Sequence, residues 1–292
     1  MNEITTRQSG DAPFAGFLCI KEVMKKNYRL TISYDGTRYQ GWQKQKKTSD
    51  TIQGKLEEIL KRMQPLYGNR GGEEAEAGLV SEDAVRPDEI QVIGAGRTDA
   101  GVHAKAMTAN VFLDIMIDEE GLKDYLNRYL PDDISVDAVK IASDRFHSRF
   151  QALAKTYCYS LYCGDAKPVF DRKYVTILEH RPNVERMRRA ADDLLGNHDF
   201  KAFCGNPKMK KSTWRRIDAV EITEDGDYIR IYYRGNAFLQ NMVRIMTGTL
   251  LEIGFGRMPA DAIPGILASL DRTQAGPTAP AKGLCMMEVH YD

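Results

Sequence analysis

One run of residues constrains this chain more than any other. Gly94-Ala95-Gly96-Arg97-Thr98-Asp99-Ala100-Gly101-Val102-His103-Ala104 brings three glycines, an arginine and a lone carboxylate together. The glycines remove Cβ clashes on both sides of Asp99, so the backbone can bend sharply and let another molecule approach the main chain. An aspartate held on a tight turn, two residues from a cation, can stay ionised and act as a nucleophile or general base. The alternative is a turn in which Asp99 only bonds neighbouring N–H groups, because Asp and Gly populate ordinary turns for local reasons.

Strand-like segments flank this turn. Tyr28-Arg29-Leu30-Thr31-Ile32-Ser33-Tyr34 alternates as a half-buried strand does, and Asp35-Gly36 ends it. A strand from Gln91 leads into the Asp99 loop, and Met107 to Leu113 reads as the strand leaving it. Between them, Ile52, Leu56, Ile59, Leu60 and Met63 share one helix face, with Thr51 or Asp50 able to cap it. Tyr39 and Trp42 lie in a loop of amides and cations, where they can stack an unpaired base or anchor the packing. Glu119 to Leu130 forms another helix, which Pro131 stops.

The second half repeats this rhythm. Thr156 to Tyr162 is rich in β-formers. A helix follows with Val184, Met187, Ala191, Leu194 and Leu195 on one side, then strands at 216–222 and 228–234. From Phe238 to Ile253 a helix carries an apolar arc that leaves Arg244 on its far side. Arg244 is there either a solvated charge or a fixed cation facing a cleft. Each half runs strand, helix, strands, helix, which predicts an α+β fold: two related lobes, each a mainly antiparallel sheet with helices on one face, flanking a central basic cleft. The expected boundaries are an extension at 1–26, a lobe at 27–145 that carries the Asp99 loop, and a lobe at 146–292.

Forty-one basic and 41 acidic residues balance overall, but not locally. Residues 71–90 hold seven acids against one arginine, which leaves the body basic, as suits a nucleic-acid partner. This acidic stretch falls within a long loop expected at about 65–90. Cys19, Cys158, Cys163, Cys204 and Cys285 are scattered without zinc-site spacing and read as reduced thiols of a cytoplasmic protein. Nothing early in the chain is long and apolar enough to be a membrane anchor.

Six blocks, in order, resemble the tRNA pseudouridine synthase A family. They are Tyr34-Asp35-Gly36-Thr37 with Gly41-Trp42-Gln43, the 94–104 run, Lys155-Thr156-Tyr157-Cys158-Tyr159, Gly196-Asn197-His198-Asp199-Phe200, Asn241-Met242-Val243-Arg244, and Pro277-Thr278-Ala279-Pro280. The resemblance covers roughly residues 27–292, and Arg97-Thr98-Asp99-Ala100-Gly101 is its most specific element. It implies isomerisation of uridine to pseudouridine in the tRNA anticodon arm, at positions 38, 39 and 40, by a homodimer that needs no metal or other cofactor. Asp99 matches the catalytic aspartate, Tyr157 the tyrosine facing the flipped uracil, Arg244 the arginine paired with the aspartate, and Arg97 an arginine that contacts RNA.

These residue types suit the chemistry. A base inside a helix must be extruded before it is modified, at roughly a few kcal/mol of lost stacking. Pairing with Arg244 is expected to hold the Asp99 carboxyl below its ordinary range. His103 and His198 are expected to be structural. The acidic insertion and the unfamiliar N-terminal extension depart from the family pattern, and the insertion is expected to project away from the RNA. The competing readings are a non-catalytic tRNA-binding module, a synthase for another RNA position, and a nucleotide-phosphate cradle at 94–101. The last lacks Gly-Lys-Ser/Thr at the right spacing.

Overall fold

A computed structural model describes residues 25–67 and 90–292. The expected extension before residue 25 and the acidic stretch lie outside the described residues. In chain order the elements are β1 (Lys26–Tyr34), α1 (Ile52–Tyr67), β2 (Ile93–Gly94), β3 (His103–Leu113), α2 (Glu119–Tyr129), β4 (Ile134–Ala142) and β5 (Ala154–Tyr162). Then come β6 (Thr176–Ile177), α3 (Val184–Asp192), β7 (Gly196–Asp199), β8 (Trp214–Asp225), β9 (Tyr228–Gly235), α4 (Met242–Gly254), α5 (Ala262–Ser269) and β10 (Leu284–His290). Among the described residues no helix is long and apolar enough to cross a membrane.

The α+β class holds, and the strands form one continuous sheet. Its order is β4-β1-β3-β10-β5-β9-β8-β7, with β2 beside β3 and β6 beside β5. Pairing is antiparallel except for β3 with β10 and β5 with β6. The strands of the first half thus meet those of the second at the parallel β3–β10 seam. Alternation decides the faces: Tyr28, Leu30, Ile32 and Tyr34 of β1 are buried, while Arg29, Thr31 and Ser33 between them are half-exposed. On the buried face α2 packs on β4, α3 on α4 and β8, and α4 on β5.

Several boundaries differ from the sequence expectation. Helix α1 starts where Thr51 Oγ1 accepts the Gly54 N–H, yet it runs on through Pro65 to Tyr67 rather than giving way to loop. The strand expected from Gln91 shrinks to two residues, and β3 begins four residues before Met107. Leu195 lies beyond α3 and is partly exposed rather than sharing its buried side. Helix α4 starts at Met242, not Phe238, because Asn241 takes the left-handed conformation (φ 58°), a turn that asparagine tolerates better than most residues. It is also buried nearly all round, so its apolar arc understates its contacts.

Candidate active site

The Asp99 loop is pinned from both sides. Ala95 N–H donates to Thr108 O (2.8 Å), Trp42 N–H to Thr98 O (3.1 Å) and Gly101 N–H to Tyr39 O (3.2 Å). Beside Asp99, the Thr98 hydroxyl shares a 2.7 Å hydrogen bond with the Tyr34 phenol, and both are buried. Gly94 is needed because the Trp42 indole lies against it: a Cβ there would sit 2.5 Å from Trp42 Cε2. Gly101 has φ +77°, where a side chain would be strained. Tyr39 and Trp42 are each only 2% exposed, so of the two roles open to them they fill the packing one.

Register aligns the strands behind the loop. Tyr34 pairs with Ala104, Ala104 with Met286, Met286 with Tyr157, and Tyr157 with Tyr233, one row crossing five strands at the seam. Tyr157 is buried, and its ring stands nearly perpendicular to that of Phe238, with centroids 5.1 Å apart. The Tyr233 phenol shares a 2.9 Å hydrogen bond with Thr247 on α4, which fixes that helix over the row.

From α4, Arg244 reaches back toward the loop. Its Nε donates to Ala279 O (2.7 Å), one terminal nitrogen donates to Asn241 Oδ1 (3.0 Å), and the same nitrogen stands 3.6 Å from Asp99 Oδ2. Arg244 is therefore a fixed cation, not a solvated one. Ala279 can hold it because Gly276 and Gly248 let the 276–279 segment lie directly on α4, where Gly276 N–H donates to Thr249 Oγ1 (2.9 Å). The Pro277-Thr278-Ala279-Pro280 block thus supplies a carbonyl to the site. Sequence reading missed this, along with Thr98, Tyr34 and the turn at Asn241.

Electrostatics correct one expectation. The Asp99 carboxyl is raised above its ordinary value, not lowered: burial outweighs Arg244 and the Asn241 backbone N–H, which both pull it down. The Tyr157 phenol is held well above the usual tyrosine range, first by burial and then by the Asp99 charge. It is neutral in the resting protein, and its response to Asp99 puts the two groups in one electrostatic neighbourhood.

Other residues fall elsewhere. Arg97 is exposed and, with Arg149 and Gln43, borders a recess of about 170 Å³ beside Gly94 and Gly96. His103 is buried and accepts the Gly36 N–H at Nδ1 (3.0 Å), and one ring nitrogen of His198 bonds Leu195 O (2.7 Å), the contacts of structural histidines. A groove of about 700 Å³, bordered by Ser33, Lys105, Ser160 and Arg230, contains none of Asp99, Tyr157 and Arg244.

A partly buried, cation-flanked carboxylate whose charge reaches a neutral phenol, on a loop tied to β1 and β3, has the features of a candidate enzyme site. The chain belongs to the tRNA pseudouridine synthase family, whose model matches residues 30–151 and 190–292. It is an isomerase by that membership. It is 40% identical over 265 residues to tRNA pseudouridine synthase A 2 of Bacillus anthracis, covering 91% of this chain and 99% of that one. Identity is 41% to tRNA pseudouridine synthase A of a further Bacillus species, with the same coverage. For the Clostridium kluyveri enzyme of that name it is 38%, over 91% of this chain and all of the relative. Among solved structures, the Cbf5-Nop10-Gar1 complex matches at TM-score 0.29 and 10% identity over 68% of this chain and 40% of that one, too remote to bear on the site.

Proposed function

We propose that this chain converts uridine to pseudouridine in the anticodon arm of tRNA, at positions 38, 39 and 40, with Asp99 as the catalytic carboxylate. The observation that carries the reading is the Asp99–Arg244 pair at 3.6 Å, whose carboxylate charge acts on Tyr157 in the Tyr34–Tyr157–Tyr233 row. The target uridine leaves its stack and its uracil lies against Tyr157. The C1′–N1 bond breaks, the base turns, C1′–C5 forms, and the proton on C5 is given up while N1 gains one, so atoms balance within one nucleotide. Asp99 either attacks C1′ or assists a glycal route, and both need the ionised carboxylate that Arg244 and the Asn241 N–H favour.

Tyr157 positions the uracil as a neutral phenol. On the covalent route its acidity rises once the Asp99 charge is spent in bonding to C1′, because that charge is one of the effects keeping the phenol protonated. Arg97, exposed at the rim, contacts the RNA near the vacated stack. The protein works in the cytoplasm as a homodimer in which one tRNA touches both subunits.

Mapping pseudouridine across total RNA from cells with and without the gene tests this reading. Loss confined to positions 38–40, restored by the wild-type gene and not by Asp99→Asn, is the expected result. Loss at another position moves the target, and an unchanged map removes the assignment. Light scattering of the purified protein tests the dimer.

A further inference from the structure

Lys155 has no part in the mechanism above. It precedes Tyr157 by two residues on β5, so both side chains stand on one face of the sheet, about 7 Å apart along the strand. Its Nζ lies 3.3 Å from where a Cβ on Gly96 would be, against the backbone of the Asp99 loop. A half-buried lysine against a loop backbone ordinarily finds a carboxylate. Among the described residues Lys155 has none, and the charged groups that bear on it are two further cations, Arg149 and Arg215.

Arg215 adds a second observation. Its terminal nitrogen donates to Ser212 O (2.9 Å) and Trp214 O (2.6 Å), while its Nε is buried with no hydrogen-bond partner among the described residues. Arg149 is exposed and shares with Arg97 and Gly96 the rim of the 170 Å³ recess. The exposed rings of Phe150 and Trp214 adjoin Arg149 and Arg215 in sequence, as suits a surface that meets RNA. Among the described residues no carboxylate pairs with Lys155, Arg149 or Arg215; cations gathered beside the Asp99 loop repel one another, and an anion relieves that repulsion.

We propose that Lys155, assisted by Arg149 and Arg215, forms a phosphate subsite that grips a backbone phosphate of the extruded nucleotide while Asp99 and Tyr157 hold its sugar and base. This rests on the proposed tRNA substrate. The subsite separates recognition of the flipped nucleotide's backbone from recognition of its base, and its distance from Tyr157 lies within the reach of one nucleotide. It also carries a pH signature. Burial and the two arginines pull the Lys155 ammonium down to about 8. A bound phosphate pushes it back up, so RNA affinity falls as pH rises through that value.

Binding of an unmodified tRNA transcript to the full-length protein tests the subsite, compared among wild type, Lys155→Met and Lys155→Arg from pH 7 to 9. Lys155→Met is expected to weaken binding about tenfold or more. It should also make the dependence of log Kd on log salt shallower by roughly one phosphate contact, and abolish the pH dependence. Lys155→Arg should restore affinity without the pH dependence, because a guanidinium stays charged. A transcript with a neutral methylphosphonate at the target nucleotide should bind wild type more weakly but leave Lys155→Met unaffected. Should Lys155→Met fail to fold, the exposed Arg149→Gln serves, with a smaller loss of affinity and a shallower salt slope expected.

Unchanged affinity and salt slope in these variants overturn the proposal, as does a methylphosphonate penalty equal in wild type and Lys155→Met. Loss of the pseudouridine assignment in the RNA map, with tRNA binding and the Lys155 effects intact, would instead discard the reaction and leave the subsite standing.

Discussion

The Arg244 guanidinium stands 3.6 Å from the Asp99 carboxylate, farther than a hydrogen bond reaches, while its shorter contacts go to Ala279 O and Asn241 Oδ1. Arg244 is thus positioned by α4 and the 276–279 segment before it meets Asp99, and the carboxylate keeps oxygen lone pairs for substrate. A tight bidentate pair would have neutralised Asp99 more fully and made it both a weaker base and a weaker nucleophile. Here the burial that raises the Asp99 carboxyl and the cation that lowers it act against each other, and burial prevails.

Asp99→Asn should abolish isomerisation, on the order of a 10³-fold loss or more, while leaving tRNA affinity within a few-fold of wild type. It should also stabilise the protein. Because the folded carboxyl lies above its ordinary value of 3.8, the stability linked to it is complete below that value and is lost as pH rises through the raised one. At pH 7 the wild type therefore carries a penalty that asparagine lacks. Thermal melts should show a higher Tm for Asp99→Asn at pH 7 and a gap that closes as pH falls toward 4.

The rate should report the same opposition. An Asp99 that must be ionised gives kcat/KM an acid limb above the ordinary aspartate range, falling as pH drops. Arg244→Met removes a charge that lowers the carboxyl, so the limb should move to higher pH as the maximal rate drops, about 10-fold or more. A pH–rate profile checks both, and a limb left in place by Arg244→Met would mean that the 3.6 Å contact does not tune Asp99.

Much of this site was legible because its residues are dictated by local chemistry. The Asp99 turn announces itself through Gly94, Gly96 and Gly101, and β1 through strict alternation. Tyr157 and Arg244 were legible through resemblance, and the fold brings Arg244 into contact with Asp99 and Tyr157 into its field. Hidden from sequence were features made by long-range register. No element was expected at 134–142, 262–269 or 284–290. Cys285-Met286-Met287-Glu288 in β10 breaks alternation, and its pairing with β5 shifts between Met286 and Glu288, yet this strand forms the seam that joins the halves. The direction of the Asp99 shift was also hidden, because pairing is visible in a motif and burial is not.

Tyr34→Phe isolates the brace under the Asp99 loop. The variant keeps the ring but leaves the buried Thr98 hydroxyl without its 2.7 Å partner, which should cost about 1–2 kcal/mol of stability. Because Thr98 adjoins Asp99, kcat should fall about tenfold with KM little changed. Denaturant melts and steady-state kinetics measure the two effects, and a double change with Thr98→Val, which removes the orphaned hydroxyl, should recover part of the stability.

Gly248→Ala addresses the positioning of Arg244 from a distance. Gly248 lies on the face of α4 that meets the 276–279 segment, and a Cβ there would penetrate the Pro277 carbonyl oxygen, a backbone atom that cannot rotate away. The segment must lift, and Ala279 O moves with it, taking the shortest hydrogen bond of the Arg244 guanidinium. A loss of about 2–4 kcal/mol is expected from overpacking. Alanine is otherwise the better helix former, so any destabilisation isolates the steric clash from helix propensity. If Ala279 acts through Arg244, kcat falls and the acid limb of kcat/KM shifts upward as in Arg244→Met. Combining Gly248→Ala with Arg244→Met should then add little further loss of rate, whereas full additivity would show that the segment supports the site by some route other than this arginine.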